Sequence, residues 1–107
     1  MTRTVHKGRE PAELPDVLQT LRSRKEEART RYGVEFVGVV GSLARGQARS
    51  DSDVDVLMEI VGETTYFRLG ELAADLEDAF GRTVDLVDRN LLKPRLRVEM
   101  ERDLVRA

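Results

Sequence analysis

Val34-Glu35-Phe36-Val37-Gly38-Val39-Val40 runs straight into Gly41-Ser42-Leu43-Ala44-Arg45-Gly46, and Ser52-Asp53-Val54-Asp55 then opens a second apolar run ending at Ile60. The first run is apolar on both faces after Glu35, the pattern of a strand covered on both sides. A Gly-Ser turn leaves that strand, and two carboxylates begin the next. Strand side chains alternate faces, so Asp53 and Asp55 point the same way, roughly 6–7 Å apart. Two carboxylates at that spacing repel unless a cation lies between them. Gly41 allows a sharp turn and a close approach to the backbone. Ser42 supplies a hydroxyl and is placed as the N-cap of a short helix, whose free N–H groups suit a phosphate. Mg2+ takes carboxylate and phosphate oxygens together. A phosphate cradle beside paired carboxylates therefore points to metal-assisted nucleotidyl or phosphoryl transfer.

Upstream, Leu14, Val17, Leu18 and Leu21 follow the i, i+3, i+4, i+7 spacing of one apolar helical stripe. The spacing predicts one helix, regular from Pro15, running through the charged stretch from Arg22 to Tyr32 and stopped by Gly33. Residues 1–9 are polar and aperiodic and are expected to form a flexible tail. The single histidine, His6, falls there and reads as a solvated residue. Downstream, Thr64 or Thr65 is expected to cap a helix with a stripe of Leu69, Leu72, Ala73, Leu76, Ala79 and Phe80. Tyr66 and Phe67 are expected in the core or at its rim. Gly81 stops that helix. Thr83-Val84-Asp85-Leu86-Val87 reads as a third strand and Asp88-Arg89-Asn90 as a turn. Pro94 fits the first turn of a last helix reaching about Arg102. Residues 103–107 fit a frayed helix or a short strand. Helices alternating with strands predict an α/β or α+β domain around one small sheet.

A two-metal site needs a further carboxylate on the nucleophile side. Asp85 is the candidate, because alternation sets it on the opposite face from Val84 and Leu86. Asp88 is second, in the following turn. Asp51 is expected in a solvent-facing loop.

The chain has 107 residues and reads as a single domain, 1–107, too short for a separate substrate domain. Apolar residues make up 40% and charged residues 36%, which with clear apolar runs favours a folded, highly charged surface. A formal net charge of −2 gives no support for nucleic acid as a direct partner. There is no cysteine, which removes thiolate and disulfide chemistry and fits a cytoplasmic setting. No apolar run reaches the roughly 20 residues of a membrane span, and Met1 to Lys7 lacks a signal-like core.

Gly41-Ser42, ten residues, then Asp53-Val54-Asp55 resembles the signature of the polymerase-β-type nucleotidyltransferase superfamily. The fuller Gly-Ser-Leu-Ala-Arg-Gly and Ser-Asp-Val-Asp-Val-Leu resemble the minimal nucleotidyltransferases, antitoxins of HEPN-domain ribonuclease toxins. The resemblance spans about Val34 to Val105. It implies a mixed core sheet of three or four strands flanked by helices, two Mg2+ ions and ATP as substrate. It implies transfer of AMP to a hydroxyl, with a tyrosine of the HEPN toxin as acceptor, release of pyrophosphate, and a hetero-oligomer with the toxin. By the same resemblance Gly41 and Ser42 hold the triphosphate, and Asp53 and Asp55 bind both metals. Asp85 completes the nucleophile-side metal and helps deprotonate the acceptor. Arg45 contacts phosphate or fixes the turn. The alternatives are an antitoxin acting by binding and occlusion, and a transferase acting on a small molecule or an RNA end.

Overall fold

The two valine-rich runs become the middle of the sheet. A computed structural model of the protein describes residues 10–107, so the expected tail at 1–9 lies outside the described residues. Strand β1 is Val34–Val40 and β2 is Val54–Ile60, matching the two runs that the sequence marks. They pair antiparallel, with Val39 opposite Val56 and Val40 opposite Asp55. Strand β3, Val84–Asp88, lies parallel to β2, and the short β4, Val105–Arg106, lies antiparallel to β1. The sheet order is β3-β2-β1-β4, a mixed four-stranded sheet. The C-terminal segment thus resolves as a strand. Gly38 admits it, since a Cβ at Gly38 would overlap the Val105 carbonyl oxygen.

Helix α1 is Leu14–Ser23 and α2 is Lys25–Tyr32. The expected single helix is therefore broken at Arg24, whose φ of −103° and ψ of 7° leave the helical region. Helix α3 is a single turn, Gly41–Ala44. Helix α4, Tyr66–Phe80, starts where Thr65 Oγ1 accepts from the Arg68 N–H at 3.1 Å. A short 3-10 turn, Arg89–Leu91, leads to α5, Pro94–Arg102.

Alternation along the strands sorts the side chains onto two faces. Val34, Phe36, Val39, Val54, Val56 and Met58 join Val17 and Leu21 of α1, Tyr32 of α2, and Leu72, Leu76 and Phe80 of α4 in the main core. Val37, Val40 and Leu57 face the other way, in a small cluster bordered by Val87, Met100 and Leu104. Helix α5 lies over this second face and buries none of its own residues. Tyr66 and Phe67 are not core or rim, at 92% and 77% exposed, because the α4 stripe that packs begins only at Leu69.

Candidate active site

Asp55 belongs to the same strand face as Leu57, away from the main core, between the fully buried Val54 and Val56. Parallel pairing sets Asp55 opposite Asp85 across β2 and β3. Val84 and Leu86 border the main core, so alternation directs Asp85 to the Asp55 side. Asp53, two residues before Asp55, precedes β2 and is exposed. Its Oδ1 accepts a hydrogen bond from the Thr83 hydroxyl. The three carboxylates expected from the sequence therefore come together on one face at one end of adjacent strands.

Their proximity registers in the charge of Asp55. Burial raises its pKa above the usual carboxylate value, and repulsion from Asp85 and then Asp53 adds to the rise. Arg45 opposes it. A cation bound among these groups would relieve both effects.

Gly41 leaves β1 with φ of +80°, a region that other residues rarely adopt. A Cβ at Gly41 would overlap Oδ2 of Asp55. The turn and the carboxylate thus share one space, and glycine is what allows it. The expected capping role of Ser42 does not hold. The N-cap is Val40, without a side-chain bond, and Ser42 lies within the helical turn itself. One turn also has little aligned dipole, so any anion binding here would rest on local N–H groups.

Arg45 Nε donates to Gln47 Oε1 at 3.1 Å, and Arg45 Nη1 lies 3.7 Å from Asp103 Oδ2. It stands beside Asp55 while fixing the turn against the end of α5. A cavity of about 330 Å3 opens there, lined by Val40, Gly41, Arg45, Asp55, Leu96, Glu99, Met100 and Asp103. A second hollow, about 550 Å3, runs along the β3 edge past Asp85 toward Tyr66, Leu69 and Leu91. Asp88 is occupied differently, as its Oδ1 accepts from the Asn90 N–H at 2.9 Å and caps the 3-10 turn. Asp51 is exposed in the loop, as expected.

The donor set fits a hard divalent cation, being carboxylate oxygen only. Among the described residues no three acidic or imidazole groups are gathered closely enough to hold a metal unaided. An ion such as Mg2+ ordinarily keeps waters and takes substrate phosphate oxygens to fill its shell. Asp53, Asp55 and Asp85 are the groups that could hold it.

Two supporting residues carry no local sequence signal. Glu77 is buried in α4, and its Oε2 accepts from the Val84 N–H at 2.9 Å, fixing the start of β3. Arg82 is 3% exposed and binds backbone carbonyls next to Asp53. A glutamate in a helix and an arginine after a helix-ending glycine read as surface residues until the fold closes over them.

A mixed sheet with aspartates on adjacent strands beside a glycine turn defines a nucleotidyltransferase architecture. The profile of the nucleotidyltransferase domain matches residues 21–106, and the chain belongs to that family. Within it, the chain is 37% identical over 92 residues to protein adenylyltransferase MntA of Thermococcus cleftensis, covering 86% of this chain and 93% of the relative. A solved structure described as a minimal nucleotidyltransferase superposes with a TM-score of 0.66 at 39% identity, over 84% of this chain and 95% of that one. A toxin–antitoxin structure with AMP-PNP shares the fold, with a TM-score of 0.55 at 23% identity, over 77% of this chain and 61% of that one. Among the described residues, no helix is long and apolar enough to cross a membrane.

Proposed function

We propose that this nucleotidyltransferase moves AMP from ATP to a hydroxyl of a partner toxin, with a tyrosine of a HEPN-domain ribonuclease as acceptor, and so neutralises it. The observation that carries this reading is the meeting of Asp53, Asp55 and Asp85 on one strand face beside the Gly41 turn. The likeness to an adenylyltransferase named MntA supports the protein acceptor.

In this reading two Mg2+ ions, when bound, neutralise the triphosphate and the attacking oxygen. Asp53 and Asp55 would hold both, and Asp85 would complete the nucleophile-side one. Asp85 faces the acceptor side and takes up the hydroxyl proton. The acceptor oxygen forms a bond to the α-phosphorus while the bond to pyrophosphate breaks. Backbone N–H groups at Gly41 and Ser42 would cradle the triphosphate, and Arg45, beside Asp55 and Asp103, would contact a phosphate oxygen or fix the turn.

Tyr66 and Leu91, 92% and 80% exposed, line the hollow that passes Asp85, and Phe67, next to Tyr66 in the chain, is 77% exposed. Large apolar side chains left in solvent around one hollow suit a protein partner better than a small polar acceptor. The same surface favours a second reading, in which binding alone occludes the toxin.

One experiment separates the two. The protein is incubated with α-labelled ATP, Mg2+ and the product of the adjacent reading frame. Label on the partner that vanishes in Asp53→Asn/Asp55→Asn is the expected result. Toxin inhibition that survives the double change, with no label on the partner, would establish occlusion instead.

A further inference from the structure

We propose that Arg82 is a positioning residue that holds Asp53 in place for its ion. The inference rests on Asp53 being a metal ligand, as read above.

Arg82 lies in the turn between α4 and β3 and is buried at 3% exposure. Its Nε donates to the Ala12 carbonyl at 2.9 Å. Its Nη1 donates to the carbonyls of Arg49 at 2.6 Å and Ser52 at 2.9 Å. Among the described residues it makes no ion pair. A guanidinium withdrawn from water without a carboxylate is costly to keep, and here its hydrogen bonds go to backbone of two distant segments.

One of those segments is the loop that delivers Asp53. The Ser52 carbonyl, just before Asp53, is held by Arg82. The Val54 N–H, just after it, donates to the Thr83 carbonyl at 2.8 Å. The Asp53 carboxylate accepts from the Thr83 hydroxyl. Two consecutive residues therefore fix Asp53 from behind, from ahead and at its side chain. Asp55 needs no such brace, since β2 already holds it within the ladder. Asp53 lies before the regular strand and depends on the loop.

Arginine suits this task because its planar fork reaches several acceptors in fixed directions. A lysine in its place could satisfy fewer of the three carbonyls.

The test uses Arg82→Lys and Arg82→Met with two readouts that do not depend on turnover. The first is Mn2+ affinity with a non-hydrolysable ATP analogue, read from the free-ion spin-resonance signal. The second is hydrogen exchange at the amides of residues 50–54 in metal-free protein. Leu18→Ala in α1, which loosens the main core away from this loop, is the control for general destabilisation. The expected result is at least a tenfold weaker Mn2+ affinity in Arg82→Met, consistent with loss of an outer-shell support. Arg82→Lys should fall in between, both should exchange faster at 50–54, and Leu18→Ala should keep wild-type affinity. Wild-type affinity in a folded Arg82→Met would overturn the proposal. So would an equal loss of affinity in Leu18→Ala. Should Arg82→Met fail to fold, Arg82→Lys decides the matter by the same two readouts. If the wild-type chain takes up no Mn2+, the metal reading falls, and unchanged exchange at 50–54 in the arginine variants would overturn the bracing role separately.

Discussion

The two faces of the sheet use alternate residues of the same strands, yet they are held in different ways. On one face Val54, Val56 and Met58 meet α1, α2 and α4 in a closed apolar core. On the other, Asp53 and Asp55 flank the same valine and share their side with Leu57 and the loosely covering α5. Helix α5 is tied down by charge. Arg89 Nη2 lies 2.7 Å from Glu101 Oε1 of α5 and Arg89 Nη1 lies 3.8 Å from Glu59 Oε1 of β2, while Arg97 Nε, 3.2 Å from Glu101 Oε2, pairs within the helix. The contrast teaches how a domain this small affords a site at all. One face supplies the hydrophobic stabilisation, which leaves the other free to collect carboxylates that repel one another.

If the division is real, substitutions on the two faces should fail in different assays. The largest effect is expected from Asp55→Asn. Transfer of label should drop by about 10²–10³-fold, the loss typical of removing one electrostatic contributor to a transition state. The melting temperature should hold or rise, because Asp55 is repelled by both Asp85 and Asp53. A large loss of stability would break the comparison.

Leu76→Ala should do the reverse. Leu76 is fully buried in the main core, and truncating such a leucine costs about 2–5 kcal/mol. Urea unfolding should report that loss, while transfer per folded molecule stays near wild type. A parallel fall in specific activity would mean that the closed face also tunes the site.

Much of this division can be read from the sequence. The limits of β1 and β2, the α4 stripe and the third strand follow from periods of two and 3.6, which are local. The parallel pairing that sets Asp85 opposite Asp55 is not local, and the three-aspartate site is an expectation of the family resemblance. The features that escape are those set by distant partners. The break at Arg24 has no glycine or proline to mark it, and Arg24 instead reaches across to the Asp75 carbonyl at 3.5 Å. Ser42 has the right chemistry for a cap, but the helical turn begins one residue earlier, at Gly41, with Val40 as its N-cap. Arg82 and Glu77 look like surface charges because nothing local announces the backbone groups waiting for them. Gly41 itself was legible as a turn, whereas its close packing against Asp55 was not.

That packing gives a sharper test than either face alone. Gly41 and Gly46 have similar positive φ, +80° and +72°. Alanine at either position should cost about 1–2 kcal/mol for the left-handed backbone. A Cβ at Gly46 would meet nothing within 4 Å, whereas one at Gly41 would collide with the Asp55 carboxylate. Gly41→Ala should therefore lose transfer as well as stability, and Gly46→Ala stability alone. Equal activity in the two variants would show that Asp55 can move aside without harm.

The smallest effect is expected where the charged tether is loosened. Glu101 is partly exposed, with 23% of its side chain accessible, so its ion pairs with Arg89 and Arg97 are weakened by solvent. Glu101→Gln should cost at most about 1 kcal/mol of global stability. Its consequence should be local: faster hydrogen exchange over residues 94–102, with α4 unchanged. In the wild-type chain, raised salt should loosen α5 less than this substitution, since the pairs are partly buried and far closer than the screening length of about 8–10 Å. Leu96, Met100 and Asp103 wall the cavity beside Asp55, so a looser α5 should raise the ATP concentration needed for half-maximal transfer more than it lowers the maximal rate. If exchange in α4 rises as much as in α5, the two faces do not loosen independently, and the cover over the carboxylates belongs to the same cooperative unit as the core.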